Sequence, residues 1–167
     1  MDAIQFRVAG IPRAKARVRF TTFGGFAKAY KPSSEKQKEE TWISLASKHL
    51  PEEPLTCPVE IELVFVFAPT PSWPRWKREA CLLGWALHVK KPDVDNLAKQ
   101  VLDILTDRWI SHDQRVVKLT CEKRFGRAPS TWVAIKPIPD ISSKTDFDKK
   151  KESHDEKVSQ PVRKISS

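Results

Sequence analysis

The chain has 167 residues, 40% of them hydrophobic, and its 30 Lys and Arg outnumber 21 Asp and Glu to give a net charge of +9. That length suits one domain with a tail. No run approaches the roughly 18 apolar residues that a bilayer span needs, and Met1-Asp2-Ala3-Ile4-Gln5-Phe6-Arg7 lacks the basic start and apolar centre of a secretory signal. Cys57, Cys81 and Cys121 are scattered, odd in number and without a CxxC pair, a pattern that supports neither a disulfide framework nor a zinc knuckle. The expectation is a cytoplasmic protein.

In chain order, Ile4 to Ala9 alternates apolar and polar residues and predicts a strand. Gly10-Ile11-Pro12 breaks it. Arg17 to Phe20 and Phe26 to Tyr30 predict a hairpin turning through Phe23-Gly24-Gly25. A helix follows Pro32-Ser33: Ser34 and Gln37 match a capping box, and Trp42, Leu45, Ala46 and His49 recur at helical spacing. Val59 to Phe67 is β-branched and aromatic, a strand. Trp73 to Leu83 holds a short helix, with Pro74 in its first turn. Asp95 to Thr106 is a helix with Leu97, Val101, Ile104 and Leu105 on one face. Arg115 to Lys123 and Trp132 to Ile138 predict the last two strands.

This order gives an α+β domain over residues 1–140, a small mixed β-sheet flanked by helices. Residues 141–167 are rich in Ser, Lys, Asp and Glu. They hold too little apolar surface to offset their chain entropy and are expected to form a disordered C-terminal tail.

The positive charge clusters. Residues 1–31 carry seven Lys and Arg (Arg7, Arg13, Lys15, Arg17, Arg19, Lys28, Lys31) against the single acid Asp2. Such a patch points to a polyanion, because Lys and Arg that neutralise phosphates release condensed counterions. Solubility alone would mix the charges with acids.

The chemistry concentrates in Lys90-Lys91-Pro92-Asp93-Val94-Asp95-Asn96-Leu97-Ala98-Lys99, with Asp113 further on. Pro92 biases Lys91 toward an extended conformation, so Asp95 or Asn96 is the expected N-cap. An extended lead-in points Asp93 and Asp95 to the same side. Lys99, four residues after Asp95, lies above it on the helix, and Asp103 continues the stripe. Adjacent carboxylates repel unless a cation sits between them, and hard cations such as Mg²⁺ take oxygen ligands. The competing interpretation is an ordinary cap with an i,i+4 ion pair. A strand returning beside the helix could carry Asp113 back to the Asp93 end. His88 and His112 have no spaced partner; His112 beside Asp113 is the candidate for an outer group at the site. Among six tryptophans, Trp73 and Trp76 lie in a Pro-flanked basic segment suited to nucleic-acid or dimer contact.

The run Lys91-Pro92-Asp93-Val94-Asp95-Asn96-Leu97-Ala98-Lys99, continuing through Asp103 and Leu105 to Asp113 and Val116-Val117, resembles the signature of the RusA family of Holliday-junction resolvases. Gly10-Ile11-Pro12, Lys15, Arg17, Arg19 and Tyr30 with Pro32 resemble the family's basic entry segment, so the similarity spans roughly residues 4–138. It implies three metal-binding aspartates, at Asp93, Asp95 and Asp113, and a catalytic lysine at Lys99. It also implies Mg²⁺ or Mn²⁺ as cofactor, a homodimer, and paired nicking of a four-way DNA junction in a bacterial or phage setting. Arg13, Lys15, Arg17, Arg19, Lys90 and Lys91 would contact DNA phosphates. The chain departs from the family pattern at His112-Asp113, where a second acid is expected, and in a shorter, glycine-free loop after Leu105. Those departures keep two alternatives open: a junction-binding protein without cleavage, and a nuclease for flaps and forks.

Overall fold

A computed structural model describes residues 2–15, 19–23, 26–30, 33–141 and 145–151, with side chains outside 16–35. Strand β1 (Ile4–Ala9) is followed by the hairpin β2 (Arg19–Phe23) and β3 (Phe26–Tyr30), then helix α1 (Ser33–Ala46). Strand β4 (Val59–Phe67), helices α2 (Arg75–Leu82) and α3 (Val94–Leu105), and strands β5 (Val116–Phe125) and β6 (Ser130–Pro137) complete the domain. Residues 145–151 are helical and exposed throughout; the rest of the expected tail lies outside the described residues.

The main sheet has the order β1-β6-β4-β5. β4 and β5 run parallel, and β6 lies antiparallel to both β1 and β4. The fold is α+β with a small mixed sheet. β2 and β3 pair only with each other. β5 and β6 are consecutive yet not neighbours, because the link between them steps across the end of β4. There Gly126 N–H donates to the Phe67 carbonyl at 2.9 Å. A Cβ on Gly126 would stand 2.5 Å from Val66 Cγ1, so only glycine allows this crossing.

Side chains alternate across β4. Val59, Ile61, Leu63 and Phe65 face the helices and are buried, while Glu60 and Glu62 face the other way. Leu97, Ala98, Val101, Ile104 and Leu105 of α3 and Ala46 of α1 close over the first set. Trp109 anchors the lower end. It is fully buried, stacks on Phe6 at 5.5 Å, meets Trp42 edge-on, and its indole N–H donates to the His49 carbonyl at 2.9 Å.

Two boundaries differ from expectation. The first hairpin strand begins at Arg19, and Arg17 lies outside the described residues. Helix α3 starts earlier than predicted: Asp93 is its N-cap, with extended backbone (φ −73°, ψ 145°), and Leu97 N–H already bonds the Asp93 carbonyl at 3.1 Å. The residue after Pro92, and not Asp95, absorbs the turn into the helix.

Truncating Trp109 to Ala removes the largest buried ring together with its hydrogen bond. Urea unfolding of that variant should give a loss of about 3–5 kcal/mol.

Candidate active site

Asp93 and Asp95 stand at the N-terminal end of α3, and both are exposed. The Asp93 side chain makes no capping hydrogen bond, so its carboxylate is not committed to the helix it starts. Lys99 lies one turn further and approaches Asp95 at 3.4 Å, with both side chains more than 60% exposed. An ion pair so open to water contributes little stability. The partial positive charge of the helix N-terminus favours anions at this place.

Asp113 is at the other end. It opens a 3-10 turn, Asp113–Arg115, that leads into β5. α3 spans twelve residues, about 18 Å at 1.5 Å per residue. β5 then climbs back along it. Lys123, near the top of β5, donates from Nζ to the Lys90 and Pro92 carbonyls at 2.9 Å each. The level of Asp93 is therefore the level of Lys123, and Asp113 sits a strand-length below. The return expected from a helix followed by a strand does occur, but it carries Lys123 to the Asp93 end and leaves Asp113 behind. Among the described residues no three His, Cys, Asp or Glu gather to hold a metal.

The basic residues divide. Arg13 lines a cleft of about 230 Å³ between the 8–14 segment, α1 and α3. Lys15 is tied to α3 twice, by its N–H to the Asn96 carbonyl at 3.1 Å and by its ammonium to Asp103 at 2.6 Å. Lys90 and Lys91 are exposed beside the acids. Lys90 Nζ lies 5.3 Å from the Trp73 ring centroid, with Lys77 at 4.5 Å. Arg19 belongs to β2 by its backbone. Trp73 also meets Phe125 edge-on at 5.9 Å, whereas Trp76 is 70% exposed. His112 is exposed, and its carbonyl accepts from Arg115 N–H.

His88 and Lys123 were not foreseen as neighbours of the acids. His88 stacks on Phe67 at 4.1 Å and lies tilted against Phe125 at 5.0 Å. Burial pushes its imidazole below the ordinary value, and the charges of Lys123 and Lys90 push the same way. Nothing in the spacing of His88 signals this, because Phe67 and Phe125 belong to strands distant in the chain.

A sequence model of the family described as Endodeoxyribonuclease RusA matches residues 9–136. The chain belongs to the RusA endodeoxyribonuclease family. Family members are endodeoxyribonucleases that act on branched DNA and generally depend on divalent metal ions. The chain is also 33% identical over 141 residues to the "Uncharacterized protein YqaN" of Bacillus subtilis (strain 168), covering 83% of this chain and 99% of that protein. Among the described residues no helix is long and apolar enough to cross a membrane.

The donor chemistry fits a hard cation, since Asp93 and Asp95 offer carboxylate oxygens. Among the described residues these two acids do not gather with a third His, Cys, Asp or Glu into a metal-holding group.

A His88 NMR titration should fall below the ordinary value near 6.5, and Lys123→Met should raise it. Because the folded-state value is depressed, the neutral ring's contribution to stability is complete above that ordinary value. It is lost as pH falls through the folded-state value.

Proposed function

We propose that two copies of this chain form an Mg²⁺-dependent endonuclease, accepting Mn²⁺ as well, that resolves four-way DNA junctions by paired nicks. One observation carries this reading: the uncommitted Asp93 carboxylate, Asp95 and Lys99 share the exposed, anion-favouring end of α3, flanked by Lys90 and Lys91. Acting on recombining bacterial or phage DNA, the enzyme would work in the cytoplasm.

Asp93 and Asp95 would hold the metal, with Asp113 supplied by the second copy because in its own chain it lies past the far end of α3. A bound divalent cation supplies Lewis acidity toward a phosphate oxygen and a more acidic water. Lys99, beside Asp95, would stabilise negative charge developing on the scissile phosphate; proton donation to the leaving oxygen is its alternative use. Lys90 and Lys91 grip the phosphates next to the scissile one, while Arg13, Lys15, Arg17 and Arg19 hold the backbone further along. Such contacts position the duplex without reading bases.

The distance between Asp113 and Asp93 also favours a second reading, a junction-binding protein that does not cut. Mixing two inactive variants separates the two. Asp93→Asn and Asp113→Asn should each abolish Mg²⁺-dependent nicking of a labelled four-way junction and leave metal-free binding intact. A mixed dimer of the two regains one intact site, so the mixture should nick one strand per junction. Two variants that stay silent when mixed would rule out a shared site.

Lys99→Ala should lower nicking about 10²–10³-fold while changing stability by less than about 1 kcal/mol. Replacing Lys90 and Lys91 by Ala should weaken binding to all junction sequences alike and reduce the salt dependence by about two counterions.

A further inference from the structure

Asp93 is reached through a segment with little support of its own. Residues 88–92 link the turn after α2 to the start of α3 and belong to neither helix. Among the described residues, the backbone of residues 89–92 makes two hydrogen bonds, and both go to one ammonium. Lys123 Nζ donates to the Lys90 carbonyl and to the Pro92 carbonyl, each at 2.9 Å. The Pro92 carbonyl belongs to the peptide group that leads into Asp93.

Both sides of this contact are stiff. Lys123 lies in β5 opposite Phe65 of β4, a buried core residue. On the helix side, the Asp93 carbonyl accepts from the N–H of Leu97, which is fully buried. The Asp93 backbone is thus held between sheet and helix. Its carboxylate makes no capping bond, so that backbone alone aims it. Hydrogen bonds from an ionised donor are roughly twice as strong as neutral ones. At the far end of the segment, the His88 ring is seated against Phe67 and Phe125. Among the described residues no carboxylate pairs with Lys123. An ammonium has three donors, and two of these are engaged by carbonyls, which leaves Lys123 poorly placed to grip a DNA phosphate.

We propose that Lys123 is a positioning residue for Asp93. It ties the lead-in peptide to β5 and so sets the direction in which the Asp93 carboxylate meets a divalent cation beside Asp95. The proposal rests on the metal-site reading above. Groups that orient a ligand from behind commonly govern metal affinity by about 10–100-fold. The sign of the effect separates this role from plain electrostatics. As a bare positive charge beside the Asp93 peptide, Lys123 opposes a cation, and removing it would tighten metal binding. As a clamp it does the reverse: without it the lead-in drifts and binding weakens.

Lys123→Met keeps the aliphatic stem and removes the donors. In the full chain it should keep the wild-type circular dichroism and bind Mn²⁺, followed by electron paramagnetic resonance, about tenfold or more weakly. Lys123→Arg retains paired N–H donors and should stay within about threefold of wild type. Lys118→Met is the charge control: it removes a cation from the same strand, but one that faces Glu60 on the other side of the sheet, and it should leave Mn²⁺ affinity unchanged. On labelled four-way junctions, Lys123→Met should raise the half-saturating Mg²⁺ concentration by the same factor as it weakens Mn²⁺, with the rate at saturating Mg²⁺ and metal-free binding close to wild type. Mn²⁺ binding by Lys123→Met as tight as wild type or tighter would overturn the proposal, as would an Arg variant as weak as the Met variant. A nicking defect that saturating Mg²⁺ does not relieve, or a flatter salt dependence of junction binding, would overturn it by placing Lys123 on the DNA. Loss of the wild-type circular dichroism in Lys123→Met would assign the lysine to the fold, with the same result. Failure of the metal-site reading looks different: Asp93→Asn itself binds Mn²⁺ as tightly as wild type.

Discussion

The parallel pairing of β4 with β5 is the constraint on which the rest of the molecule depends. Two parallel neighbours cannot be joined by a tight turn, so the chain must cross from the end of one to the start of the other. α2 and α3 make that crossing, and α3 packs its apolar face against β4 on the way. The start of α3 is thereby fixed at the upper end of the sheet and the start of β5 at the lower end. Asp93 and Asp113 follow helix start and strand start, and the crossover that builds the core also separates them.

The same topology leaves β5 with one free side. β6 enters between β1 and β4, and the close passage of Gly126 over Val66 makes that entry possible. With the place beside β4 taken, β5 becomes the rim. Exposed Val117 and Leu119 lie along the lower half of this rim, and the 82–89 segment flanks its upper half beside Val94. Asp93 and Asp95 at the start of α3 and the apolar 82–89 flank thus lie beside the upper part of β5. The chain belongs to a family that acts on branched DNA, and among the described residues no three metal-ligating side chains gather.

Much of this was legible in residue order. The strands at Ile4–Ala9 and Val59–Phe67 were read from alternation and β-branching, and α3 from the spacing of Leu97, Val101, Ile104 and Leu105. The acids and Lys99 were read from a motif whose parts are local. The N-cap falls at Asp93 and not at Asp95 or Asn96, because local rules rank Asp and Asn as caps anywhere near a helix start and only the backbone after Pro92 decides between them. The ion pair of Lys15 with Asp103 is not legible in residue order. Both residues are visible in the sequence, but their 2.6 Å approach depends on the 10–15 segment lying along α3.

Sequence by itself determined the element types, the basic character, and the grouping of Asp93, Asp95 and Lys99, because each follows from neighbours within about two helical turns. Tertiary structure alone decided the strand order, the place of His88 against Phe67 and Phe125, and the end of α3 at which Asp113 lies. Those depend on which distant segments pair, and pairing is set by burial of whole faces, a quantity that no short window of residues contains.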